Sequence, residues 1–162
     1  MAKRNVVKLD TAPVVFTVIG ISSHENHYRL SWSINEQLGY TFAQGINLVT
    51  ESGKEFTCFV HQDDEQRLLL LSNRCENGFL IEKYKNLDFI LKFEGELNET
   101  ELSAWIRNLK KVMLVSAAFP IPVNKQTLYL LDKEILDKYA SRRQLRMTNT
   151  SAQSIENFMQ SR

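Results

Sequence analysis

Between residues 55 and 94, short apolar runs are cut by turn residues, and apolar side chains recur at every second position at 56, 58 and 60 and again at 89, 91 and 93. That period belongs to half-buried strands, and the spacing of the interruptions belongs to hairpins. Residues 55–61 alternate well, with Phe56, Cys58 and Val60 facing one way and Thr57, Phe59 and His61 the other. Asp63-Asp64-Glu65 makes a polar turn before a second strand over 67–73. Cys75-Glu76-Asn77-Gly78 contains the strongest hairpin dipeptide, Asn-Gly. Residues 79–81 and 88–94 then complete a meander, with Phe89, Leu91 and Phe93 on one face.

Helical patterns bracket this meander. Residues 98–111 carry the clearest of them. Asn98 is placed to cap, Glu101 sits at the reciprocal box position, and Leu102, Trp105, Ile106 and Leu109 form a full apolar stripe. Lys110 and Lys111 suit the negative end of the helix dipole. A first helix is expected over 24–38, with Ser22 and Glu25 as a capping box and Leu30, Ile34 and Leu38 facing the core, flanked by Trp32. Gly39 stands where a helix end wants positive φ. A third helix is expected over 126–140 through Leu128, Leu131, Ile135, Leu136 and Tyr139.

Further strands are expected at 14–19, which is β-branched and aromatic, at 42–50, and at 112–119, which Pro120 and Pro122 end. Ser52-Gly53 supplies a turn between 42–50 and 55–61. The order β-α-β-β-β-β-β-α-β-α predicts one α+β domain over 1–140. Its sheet should be largely antiparallel or mixed, with two to three helices mainly on one face. Residues 141–162 are polar, and four arginines against one glutamate give them a net +3, leaving −2 on the rest.

The chain has 162 residues, of which 43% are hydrophobic, enough for one real core. With 20 Lys+Arg against 19 Asp+Glu, the charge balance argues against nucleic acid and anionic lipid as general partners. No apolar run suits a signal peptide or a membrane span. Two cysteines, Cys58 and Cys75, then read as reduced thiols, and the expected location is cytoplasmic.

No assembled catalytic set stands out, and the residues name no cofactor and no metal. His24 and His27 share a face if both are helical, but a metal needs a third ligand. The Gly20-Ile21-Ser22-Ser23 turn could present backbone N–H groups to an anion, without either phosphate-loop spacing. Cys58 and His61 point to opposite faces of a strand. The first helix's N-terminus offers Ser22, Ser23, His24 and Arg29 as ligand-binding candidates. The aromatic residues Trp32, Trp105, Phe89 and Phe93 all fit core positions.

Residues 79–93 run FLIEKYKNLDFILKF and resemble the motif of the IPExxxVDY family, small proteins found mainly in Bacteroidetes. Ile81 and Asp88 match the motif, and Leu87 and Phe89 replace its valine and tyrosine. Glu82 and Lys83 stand in place of its proline and glutamate. The stretch from Ile19 through Trp32 to Asn35 is similar too, so the resemblance covers residues 8–123. It implies a bacterial cytoplasmic protein and no mechanism. Asp88 is the best-matched polar residue and a further ligand candidate, and a structural role at a strand start is the simpler expectation for it.

Two functions follow as expectations. The first is a non-enzymatic protein-interaction or regulatory module, working with another protein or by self-association. The alternative is a small-ligand-binding or enzymatic domain using a pocket at the N-terminus of the first helix. An exposed apolar patch would favour the former, and a concave cluster of Ser22, Ser23, His24 and Arg29 the latter.

Overall fold

A computed structural model describes residues 16–124 together with Thr127 and Leu131. The expected tail over 141–162 lies outside the described residues, and of the third helix only Thr127 and Leu131 are described, both helical. The fold is α+β. In chain order the elements are β1 (Phe16–Ser22), α1 (His27–Leu38), β2 (Ala43–Gln44), β3 (Leu48–Val49), β4 (Glu55–Phe56) and β5 (Cys58–Gln62). Then follow β6 (Arg67–Ser72), β7 (Arg74–Cys75), β8 (Gly78–Phe79), a 3-10 turn (Glu82–Tyr84), β9 (Phe89–Glu94), α2 (Glu99–Lys111) and β10 (Ala117–Pro120).

Six strands make one sheet in the order β10-β1-β9-β6-β5-β2, and its strand pairings are antiparallel. The first strand lies between the last two, so β1 closes the fold by contacts far apart in sequence. Side chains alternate strictly between two cores. Ile19, Ile21, Phe59, Leu68, Leu70, Phe89, Leu91 and Phe93 face one cluster, which Leu30 and Ile34 of α1 and Leu109 of α2 complete. Phe16, Val18, Cys58, Leu69, Leu71 and Ile90 face the other, with Leu48, Phe56, Leu80, Leu87 and Leu131. Gly20 sits on that second face, where a Cβ would collide with the Leu87 side chain. Each fully buried leucine or isoleucine here contributes roughly 1.5–3 kcal/mol of transfer free energy.

Six sequence expectations are corrected. The first helix starts at His27, not at 24, because Asn26 caps it by accepting from the Arg29 N–H at 3.0 Å. Ser22 does not cap: it and Gly20 continue β1, whose ladder pairs Gly20 with Ile90 and with Phe119. The strand over 42–50 splits, β2 joining the large sheet and β3 pairing with β4 in a separate hairpin. Phe79 is not in the meander but pairs with Arg74 in a small hairpin over the second core. The last strand begins at Ala117, since Val112 N–H turns back to Leu109 O and Val115 N–H to Val112 O. Trp32, the sixth, is 64% exposed rather than in the core.

Candidate functional site

The residues singled out at the start of the first helix are absorbed by structure. Ser22 Oγ donates to Asn86 O at 2.9 Å. The buried Ser23 gives its N–H to Asp88 Oδ2 at 2.9 Å, and its Oγ accepts from the Glu25 N–H. A carboxylate thus already holds the N–H that an anion would need. Asp88 Oδ1 also pairs with Arg74 Nε at 2.9 Å, and the Asp88 N–H donates to Ile21 O. Asp88 therefore ties the end of β1 to the start of β9. Arg29 turns away to Glu25 at 2.9 Å, and His24 precedes the helix as an exposed residue. His24 and His27 do not share a helical face, and partial burial beside the Phe59 ring holds the His27 imidazole below its usual pKa. No group of three or more metal-ligating side chains occurs among the described residues.

Asn73 is a second tie, fully buried between β6 and β7. Its amide donates to Tyr84 O and Leu87 O and accepts from the Ile81 N–H. Each polar atom of that side chain is bonded, so it organises the 79–88 loop at little desolvation cost. Cys58 and Cys75 are free, and burial pushes the Cys58 thiol up to about 12, against the opposing pull of Arg67 and Lys92. A thiol so held is a packing group and not a nucleophile.

One hydroxyl–imidazole–carboxylate array was not legible in the sequence. The Thr41 N–H donates to His61 Nδ1 at 3.2 Å, which makes Nδ1 the acceptor and leaves the ring proton on Nε2. Nε2 then donates to Asp63 Oδ2 at 3.1 Å, and Thr41 Oγ1 lies 3.0 Å from Nδ1. Backbone N–H groups of Glu65 and Gln66, then His61, hold the Asp63 carboxyl below the usual range. Tyr40 meets the His61 ring edge-on at 5.0 Å and stacks toward Trp105 at 4.8 Å. A cavity of about 340 Å³ lies beside them, lined by Tyr40, Gln66, Glu101 and Trp105 among others. Two donors from one residue meet on Nδ1, which is how a buried side chain ties down a chain reversal. The array locks the segment after α1 onto β5.

The other feature is on the surface. Trp32 is 64% exposed and Tyr28 53% exposed, one turn apart on α1. On the same helix the buried residues are Leu30, Ser31, Ser33 and Ile34. The Tyr28 ring packs edge-on against Phe59 at 5.4 Å, and its hydroxyl donates to Gln44 Oε1 at 2.9 Å. Tyr28 is thereby held in place, while Trp32 stands clear on the solvent side. A signal for this existed in the sequence. Trp32 lies two residues from both Leu30 and Ile34, which places it about 180° round a helix from the stripe that they define.

No family model matches the chain, and no curated protein matches it in sequence. No helix among the described residues is long and apolar enough to cross a membrane.

Proposed function

We propose that this chain is a non-enzymatic protein-interaction module whose docking surface is the solvent face of α1. The observation that carries this reading is the displayed pair Tyr28 and Trp32, on a helix that buries two serines instead. Aromatic side chains are the commonest energetic anchors of protein interfaces, because they bury much area for few frozen torsions. The His61 ring and the Asp63 and Asp88 carboxylates make bonds within the fold, which also supports a binding role. As part of the same proposal, the resemblance over 79–93 makes this a cytoplasmic bacterial protein of the IPExxxVDY type.

The test is a photo-crosslinking amino acid placed at Trp32 of the full chain, in its native cell. A control carries it at Ser103, on the exposed side of α2. Protein adducts should form from position 32 and not from position 103. Equal yields from both positions, or none from position 32, would remove the reading. A second reading, small-ligand binding, is favoured by the cavity beside Tyr40 and Trp105.

A further inference from the structure

The exposed strip of α1 is self-complementary, and we infer that its occupant is a second copy of this chain, docked antiparallel across a twofold axis beside Trp32. This rests on the protein-interaction reading of that surface and names its partner.

Tyr28, Arg29, Trp32 and Glu36 are all exposed, and at helical spacing they fall within a strip roughly 100° wide. Arg29 lies three residues before Trp32 and Glu36 four residues after it, so their midpoint falls beside the indole. In an isologous pair each contact occurs twice, with the two helices reversed. Reversal about that midpoint sets Arg29 of one copy against Glu36 of the second copy, and Glu36 of the first against Arg29 of the second. The two Trp32 side chains meet at the axis, and each Tyr28 closes one end. A parallel arrangement would set Arg29 against Arg29 and Glu36 against Glu36. Charge placement thus selects both the partner and the orientation. Antiparallel helices also oppose their dipoles favourably.

Arg29 keeps its Glu25 contact in this arrangement. The Glu25 carboxylate takes only Nη1, at 2.9 Å, and the Arg29 side chain remains 64% exposed. Guanidinium offers five N–H donors, so a second carboxylate has donors to meet. The strip is one helix wide, so the contact belongs with small, reversible interfaces of less than about 1,200 Å².

The experiment is sedimentation equilibrium on the purified full chain and four variants, with thermal melts at low concentration as a control on folding. The wild-type chain should form dimers with a Kd on the order of 10–100 μM, as suits a small interface. Trp32→Ala should abolish dimerisation. Arg29→Glu and Glu36→Arg should each weaken it by about tenfold or more, since each sets like charges together twice. The double variant Arg29→Glu/Glu36→Arg should recover it, because the ion pair is re-formed with its signs exchanged. A monomer at every concentration overturns the inference, as does a dimer indifferent to these changes or a double variant that stays weak. A monomeric chain that still crosslinks to a different protein from position 32 would leave the interaction reading standing. Absence of any adduct there would remove both.

Discussion

The two helices pack on the same apolar cluster, yet they place their tryptophans in opposite ways. In α2, Trp105 turns inward, edge-on to Phe93 at 4.8 Å and against Tyr40 at 4.8 Å. In α1 the buried positions hold two serines beside Leu30 and Ile34, and Trp32 faces solvent. Helix α2 follows the usual rule that large apolar side chains go to the core. Helix α1 departs from it on the face that the fold does not cover. Helix α1 meets the sheet through Leu30, Ile34 and Leu38 and through the Tyr28 ring against Phe59, while the exposed Trp32 stands outside that cluster.

Replacing each tryptophan by alanine tests this contrast directly. Trp105→Ala should cost about 3 kcal/mol in denaturant melts, the low end for large aromatic truncations because the ring is only half buried. Trp32→Ala should change the stability of the monomer by less than about 0.5 kcal/mol, as surface substitutions do. Equal costs at the two positions would erase the distinction between them.

The architecture was legible where one period dominated. The alternation over 55–61 places Cys58 and His61 on opposite faces, as the two cores show. The stripe of α2 and its capping box are present as read, with Asn98 Oδ1 accepting from the Glu101 N–H and Glu101 Oε2 from the Asn98 N–H. Failures came where tertiary contacts decide. Gly20 and Ser22 read as a turn, but pairing on both sides of β1 extends the strand through them. Asn26 and Ser22 are both good caps by residue type, and only the path of β1 chooses between them. Residues 112–115 are apolar enough for a strand, yet the chain must reverse there for β10 to reach β1. The site was less legible still. Thr41 and His61 are 20 residues apart in sequence, so no local pattern joins them. Trp32 was within reach, because its angle from Leu30 and Ile34 already pointed outward.

The two helices also differ at their starts. Both helices have an asparagine cap, but only α2 has the reciprocal box. Asn98→Ala should cost about 1–2 kcal/mol and Asn26→Ala about 0.5–1, since the first breaks a doubly bonded turn and the second a single bond. Chemical denaturation of the two variants measures the difference. A larger loss at Asn26 would mean that α1 depends on its local cap more than on Leu30 and Ile34.

A small effect is also expected at the link between the two helices. Ser33 Oγ accepts from Gln37 Nε2 at 2.8 Å, and Gln37 Oε1 accepts the Met113 N–H at 3.1 Å. The first bond orients the amide so that its oxygen faces the chain just beyond α2. Ser33→Ala should therefore cost about 0.5–1 kcal/mol, a typical net worth for one hydrogen bond. Gln37→Ala removes both bonds and should cost somewhat more. Because Ser33 acts through Gln37, the double variant should be no less stable than Gln37→Ala alone, a non-additivity that a double-mutant cycle reads directly. Strict additivity would show that the buried serine serves close packing alone. In that case its small size, and not its hydroxyl, is what lets α1 sit tightly on the sheet with its aromatic face outward.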